Sequence, residues 1–272
     1  MNKNYFYELF NLKNKTIVLT GSSGKLGTRF AHVLSEAGAD VILVDIESKN
    51  NKRLEKEIIR KYHTTAKAYQ VDISDKSHVK KFVSEILKSH KKIDVLINNA
   101  QFLPRNHPKR DASFEDYPLE LWDKTISVNL RGLFLCSQEI GRVMLKQKKG
   151  VIINISSIYG MVGADQRIYG NSRLNSPAFY AVTKGGMVNF TRYLAAHWGK
   201  KNIRVNTLTL GGVYDKKLHK GKMFVKKYSE KTILGRMAQK EDYDGALLFL
   251  ASDSSCYMTG SNLIIDGGWT AW

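Results

Sequence analysis

Cysteine is scarce: Cys136 and Cys256 are the only two in 272 residues, and they lie far apart. No disulfide framework and no Cys-x-x-Cys metal or redox motif can be built from them, so reduced thiols in a cytoplasmic protein are the expected state. The seven histidines show no His-x-x-x-His spacing, and no structural metal is expected. Only four prolines occur, and no Pro-rich or low-complexity stretch divides the chain. A single domain over 1–272 is the natural reading. No apolar run approaches the roughly 20 residues that span a bilayer. The opening Met1 to Glu8 lacks the apolar core of a secretory signal. Neither membrane insertion nor export is therefore expected. Acidic residues are the other deficit, 25 against 43 Lys and Arg, for a net charge of +18. Such an excess favours acidic partners. The lysines are spread over most of the chain, however, and no helix-turn-helix, zinc-finger or RNA-recognition signature accompanies them, so nucleic acid is not an expected partner.

What is present is an alternation of short apolar, β-branched runs with longer helical segments. Strands are expected at Thr16–Thr20, Val41–Val44, Ala66–Val71, Val95–Asn98, Val151–Ile155, Arg204–Leu208 and Asn262–Ile265. Helices are expected at about Lys25–Ala37, Asn51–Tyr62, Val79–Ser89, Leu119–Lys146, Ala178–Trp198 and Tyr243–Ala251. This order predicts right-handed βαβ units: an α/β fold with a seven-stranded parallel sheet and helices on both faces. Two stretches break the pattern, a polar loop over Gln101–Pro118 and a Lys-rich segment over Gly211–Leu234.

The first strand runs into Thr20-Gly21-Ser-Ser-Gly24-Lys-Leu-Gly27 and then a helix. Glycines here permit a tight turn and let the backbone approach a pyrophosphate at the helix N-terminus, where free N–H groups favour negative charge. Gly21, Ser23, Lys25, Leu26 and Gly27 are the candidate contacts of this turn. Asp45 ends the second strand, where a carboxylate accepts hydrogen bonds from an adenosine ribose and repels a 2′-phosphate. NAD is expected over NADP, with Lys25 and Lys49 the residues that complicate the preference. Asp72 with Ile73 follows the third strand, at the place of an adenine edge, and Asn99-Ala100 closes the fourth.

Tyr180 and Lys184 lie four residues apart, on one face of the expected helix. A neighbouring ammonium favours the phenolate and lowers the phenol from its ordinary value of about 10. A phenol tuned in this way exchanges protons with an alcohol or ketone near neutral pH.

The ordered motifs Thr20-Gly21-Ser-Ser-Gly24-Lys-Leu-Gly27, Asp72, Asn98-Asn99-Ala100, Asn129, Ser157, Tyr180 with Lys184, Asn206 and Asp266-Gly-Gly268 resemble the short-chain dehydrogenase/reductase family over nearly the full chain. The resemblance implies a Rossmann-like doubly wound domain and an NAD(P)-dependent interconversion of a secondary alcohol and a ketone. It implies Tyr180 as general acid/base, Lys184 as its electrostatic partner and ribose ligand, Ser157 as holder of the substrate oxygen, and Asn129 as anchor of a water relay behind Lys184. It also implies a mobile substrate lid at 211–234, and a homodimer or homotetramer built on the Ala178–Trp198 helix. Gly185 and Gly186 would permit close approach there, with Tyr193 and Trp198 as anchors.

Three departures stand out. Gln101 replaces the usual glycine after Ala100 and is expected to crowd the cofactor or reshape the loop. Leu210-Gly211 replaces Pro-Gly after the sixth strand, which predicts a less rigid turn, and a nearby threonine is missing. The carboxamide contact is therefore assigned to main chain around Gly211 and Val213. Finally, Ser157 and Tyr180 are separated by an additional segment, 163–175, expected to bulge over the site. That segment carries Asp165, Gln166, Arg167, Asn171, Arg173 and Asn175; the loop after Gln101 carries Arg105, His107, Lys109 and Arg110; the lid carries seven lysines. Polar, mostly basic elements around one pocket predict a small polar, anionic substrate. A sugar phosphate, nucleotide sugar or sugar acid is expected, as in relatives from bacterial surface-glycan and flagellin-modification pathways. A non-catalytic NAD-binding scaffold and a reductase of 3-oxoacyl thioesters are the competing readings.

Overall fold

The computed structural model describes residues 5–272 except Arg105, Arg173, Lys217, Leu218, Lys220 and Gly221. Arg105 of the polar loop, Arg173 of the additional segment and Lys217 and Lys220 of the lid thus lie outside the described residues, as does the side chain of Lys222.

The apolar runs form seven strands: β1 (Thr16–Thr20), β2 (Asp40–Asp45), β3 (Ala66–Gln70), β4 (Val95–Asn98), β5 (Gly150–Ser157), β6 (Ile203–Leu210) and β7 (Asn262–Ile265). They make one sheet in the order β3-β2-β1-β4-β5-β6-β7, with every pairing parallel. The helices are α1 (Tyr5–Phe10), α2 (Lys25–Glu36), α3 (Ser48–Tyr62), α4 (Lys76–His90), α5 (Leu119–Ile126), α6 (Leu133–Gln147), α7 (Ala178–Trp198), α8 (Lys222–Glu230) and α9 (Asp244–Ala251).

Successive strand residues point to opposite faces, and both faces are covered. Ile17, Leu19, Leu43 and Ile153 join one core with Phe30 and Leu34 of α2, Leu54 and Ile58 of α3 and Leu247 of α9. Val18, Ile42 and Ile152 join the other with Phe82 and Ile86 of α4, Ile140 and Met144 of α6 and Leu194 and Trp198 of α7. Each fully buried aliphatic side chain contributes about 1.5–3 kcal/mol, so the strands are fixed from both sides. Helix ends follow local chemistry. Asp75 caps α4 by accepting from the amides of Ser77 and His78, and α3 stops at His63, whose φ is 55°.

Two elements differ from expectation. The single helix expected over Leu119–Lys146 is interrupted between α5 and α6 by a π-helical turn, Ser127–Gly132. Such turns add a residue to a helix and are frequent at functional sites. Here Gly132 lets the turn close on Ile73, since a Cβ would sit 2.7 Å from the Ile73 Cδ1. The Lys-rich segment contains α8, whose Phe224, Val225 and Tyr228 turn inward onto Ile158, Tyr159 and Trp269. The strand order reverses between β1 and β4, and the crevice beyond their C-terminal ends is where open α/β sheets bind ligands.

Candidate active site

The turn after β1 leaves no room for a side chain at Gly21 or Gly27. Gly21 has φ +66°, and a Cβ on it would lie 2.6 Å from the Ala100 Cα. A Cβ on Gly27 would overlap the Gly21 carbonyl. The backbone is therefore free to meet a ligand at the N-terminus of α2. Asn99 braces the turn rather than reaching out of it: its Nδ2 donates to Thr20 O at 3.0 Å and Gly21 O at 3.1 Å. The amides of Asn99 and Ala100 both donate to Thr20 Oγ1. Asp45 accepts from the Ser23 amide at 2.9 Å and the Glu47 amide at 3.0 Å. A carboxylate has about four acceptor sites, so two remain for ribose hydroxyls. Asp72 accepts from the Ser74 amide and hydroxyl, and Ile73 is buried. No hydrogen bond among the described residues uses the Val213 amide, and Gly211 closes on Asp266. A glycine turn with no room for a Cβ at Gly21 and Gly27, a helix N-terminus and a carboxylate with two open acceptor sites fit a dinucleotide. Lys25 points elsewhere: its Nζ binds Tyr214 O and pairs with Asp215 at 3.3 Å, so it does not neutralise Asp45. Leu26 packs into the core.

β5 and α7 bring Ser157, Tyr180 and Lys184 together. Their relative position is held by Ser156, whose hydroxyl donates to Lys184 O at 2.9 Å. Gly160 assists, since a Cβ there would press on the same carbonyl. The Ser157 hydroxyl neighbours the Tyr180 phenol and accepts from the Tyr159 amide at 3.4 Å. Lys184 is 3% exposed, donates to Ile155 O at 2.8 Å, and places its Nζ 5.7 Å from the Tyr180 ring centroid.

The electrostatics correct the sequence expectation. The phenol of Tyr180 lies above its ordinary value because burial raises it, and the neighbouring Ser157 hydroxyl only partly opposes this. Burial also lowers Lys184 to about 8. An amine that loses its proton there is neutral before the phenol ionises, so it does not depress the phenol. Desolvation acts on both groups, and in the chain by itself it outweighs their mutual attraction. Tyr180 is thus a protonated donor at neutral pH.

Asn129 sits in the π-helical turn with both side-chain ends used. Its Oδ1 accepts from the Phe102 amide at 2.7 Å and its Nδ2 donates to Phe102 O at 3.3 Å. This clamp sets the path of the loop after β4, and Gln101 is left exposed. Asn98 faces the core, donating to Ser137 and to Asn154, and Asn154 donates to Thr191 of α7. Asn206 ties β6 to Met258 O and the Ser261 amide. Leu210 does not loosen its turn: it pairs with Ser157 on one side and Ile265 on the other, and Tyr243 donates to Gly211 O at 2.9 Å.

Among the described residues of the additional segment and the lid, the basic side chains do not line up as the wall expected. Arg167 is 87% exposed and paired with Asp165, which also pairs with Lys231. Lys227 donates to Arg167 O, and Lys226 is exposed beside Glu230. The inner surface is aromatic instead. Tyr159, Tyr228 and Trp269 are buried together, with Tyr169, Tyr180 and Phe224 packed against them. These described charges are exposed or paired with one another, while the rings pack together.

Comparison with known proteins agrees with this geometry. A family model described as enoyl-(acyl carrier protein) reductase matches residues 22–270. The chain belongs to the short-chain dehydrogenase/reductase family. This dehydrogenase/reductase is 35% identical over 266 residues to an NAD-dependent glycerol dehydrogenase of Listeria innocua, covering 96% of each chain. It is 30% identical over 258 residues to a post-translational flagellin modification protein A of Campylobacter coli, covering 95% of this chain and 99% of that one. A gluconate 5-dehydrogenase from Burkholderia cenocepacia, solved with NADP and tartrate, superposes with a TM-score of 0.87 at 27% identity, covering 98% of this chain and all of that one. The dehydrogenase/reductase is an NAD(P)-dependent oxidoreductase acting on a small molecule. No helix among the described residues is long and apolar enough to cross a membrane.

The α7 face of the dehydrogenase/reductase also differs from expectation. Trp198 is buried against Gly141 of α6, so it belongs to the core and not to a subunit contact. Gly186 closes on Leu130 of the same chain. Tyr193, 62% exposed and stacked on His197, remains on the surface with Val182 and Phe134.

Proposed function

We propose that the enzyme interconverts a secondary alcohol and a ketone on a polyhydroxylated carbon chain, a polyol, sugar or sugar acid, with NAD as the preferred dinucleotide. The reading is carried by Ser157 at the end of β5 and Tyr180 with Lys184 on α7, the Lys184 Nζ 5.7 Å from the Tyr180 ring, beside the crevice at the C-terminal ends of β1 and β4. When bound, the dinucleotide supplies the hydride donor or acceptor. In reduction the Tyr180 phenol, protonated at neutral pH, hands its proton to the substrate oxygen, while the Ser157 hydroxyl donates to the same oxygen as charge builds on it. In oxidation the same phenol must first ionise, so alcohol oxidation is favoured at alkaline pH. Lys184, held by Ile155 O, replenishes the proton, with its amine near 8 able to give or take one. Asn129 keeps the π-helical turn beside it in place through Phe102. Asp45 carries the NAD preference, because its free acceptor sites suit ribose hydroxyls and its charge opposes a 2′-phosphate.

A role in glycan or flagellin-sugar biosynthesis, in the cytoplasm, belongs to the same proposal, supported by the likeness to the flagellin modification protein. Assembly as a dimer or tetramer through the exposed apolar residues Phe134, Val182 and Tyr193 completes it; sedimentation as a monomer would contradict that part. The test of function is a screen of polyols, sugars, sugar acids and 3-oxoacyl thioesters with NAD and NADP, followed at the reduced-nicotinamide absorbance. Turnover of a polyhydroxylated compound with NAD supports the proposal; preferred turnover of the thioester sinks it.

A further inference from the structure

The 163–175 segment is not part of the sheet, yet it delivers one side chain to the catalytic phenol's surroundings. Its short helical turn, Gln166–Tyr169, is capped by the Asp165 side chain, which accepts from the Arg167 amide. Its base is tied down by Gln166, which donates to Ser176 O and accepts from the Ser176 amide. The turn ends on Tyr169, which packs against the cluster that holds Tyr159. The Tyr159 ring stands edge-on to Tyr180, 6.3 Å between centroids and 80° between planes. The Tyr169 ring is stacked on Phe224 of α8 at 5.4 Å and 22°. Tyr169 therefore joins three parts: the additional segment, the lid and, through Tyr159, the catalytic Tyr180.

We propose that Tyr169 and Tyr159 form the substrate-recognition subsite, and that it takes a neutral, multiply hydroxylated carbon chain rather than an anion. The proposal rests on the alcohol–ketone reading above and names its substrate class. Aromatic faces pack against the C–H face of a sugar or polyol, and phenolic hydroxyls pair with hydroxyls that do not react. An anion needs an Arg or Lys turned inward. Among the described residues, Arg167 is tied to Asp165 at the surface, Lys231 to the same carboxylate, and Lys227 to a backbone carbonyl. The buried Lys184 is engaged by Ile155 O. A subsite built on neutral hydroxyls discriminates against substrates that lack a matching hydroxyl, because its own groups are then left unpaired.

The test is Tyr169→Phe, which keeps the ring stacked on Phe224 and removes only the hydroxyl, with Tyr159→Phe as a second variant. Wild type and variants are assayed with NAD and a neutral polyol, its carboxylate analogue, and a simple secondary alcohol with one hydroxyl. The expected result for Tyr169→Phe is a rise in KM for the polyol of roughly 3- to 10-fold, the effect of one neutral hydrogen bond. Its kcat, the KM for the simple alcohol, NADH affinity by fluorescence and melting temperature should stay as in wild type. Equal changes for polyol and simple alcohol, or none for either, overturn the subsite. A wild-type preference for the carboxylate analogue or a sugar phosphate overturns the neutral class. Failure of the wild type to oxidise any alcohol, or reduce any ketone, with either dinucleotide sinks the alcohol–ketone reading as well; an active wild type with an indifferent Tyr169→Phe sinks only this inference.

Discussion

Replacing Lys184 with methionine should make the protein more stable and inactive. The amine is 3% exposed, and burial lowers it from 10.5 to about 8. At about 1.4 kcal/mol per pH unit, that difference is about 3 kcal/mol of strain from holding a charge in the core. The sign is set by proton counting. Between pH 8 and 10.5 the unfolded chain holds a proton on this amine that the folded chain has released, so stability rises with pH across that window. Below about 8 the whole cost is present. The hydrogen bond from Nζ to Ile155 O offsets about 1 kcal/mol. Methionine fills similar space without the charge, so Lys184→Met should gain about 2 kcal/mol at pH 7. The gain should shrink as pH rises and vanish near the top of the window. Urea unfolding followed by tryptophan fluorescence at pH 7 and pH 10 measures both values. A variant less stable than wild type at pH 7, or a difference that does not change with pH, would refute the reasoning, since either result means the amine is not an unpaired charge buried in the fold.

Asp45→Ser should raise the efficiency with NADP relative to NAD by roughly 10-fold or more, read as the ratio of kcat/KM values, because it removes the charge that repels a 2′-phosphate. Gly27→Ala should cost about 1–3 kcal/mol of stability and weaken NADH binding, read by melting and by fluorescence titration, because its methyl overlaps the Gly21 carbonyl. Lys25→Ala should expose the lid to trypsin faster while changing global stability by less than about 1 kcal/mol, since the partly exposed Lys25–Asp215 pair holds the lid against α2.

The fold was legible because its central strands are buried on both faces and the edge strand β7 is still a short apolar run. Thr16–Thr20, Val95–Asn98 and Asn262–Ile265 read as apolar, β-branched runs and form strands with those same bounds. Helix α7 was equally plain. The π-helical turn at Ser127–Gly132 was not, since its cause lies outside the helix, in Phe102 and Ile73. Helix α8 was hidden because lysines surround its four apolar residues, Met223, Phe224, Val225 and Tyr228. At the site, Tyr180 and Lys184 were named from spacing and Ser157 from the family resemblance, and the fold brings them together. The charge relation between Tyr180 and Lys184 was misread because i,i+4 geometry gives distance but not desolvation, and burial here governs both groups. Ser156 and Tyr169 were missed for a related reason. A serine at a strand end and a tyrosine in an extra loop carry no motif, and their roles arise only from what the fold places beside them. The arginines of 163–175 and the lysines of 211–234 suggested an anion site; of those described, Arg167 and Lys231 turn to Asp165 and Lys227 to a backbone carbonyl, a direction that sequence does not give.

The most direct test of the account is the Tyr180→Phe variant, assayed with the best polyhydroxylated substrate and NAD across pH. The account predicts a fall in kcat of roughly 10²–10⁴-fold, NADH affinity equal to wild type, and, in the wild type alone, an oxidation rate that climbs with alkalinity. A variant that keeps full kcat and the same pH profile would contradict the claim that this phenol moves the proton.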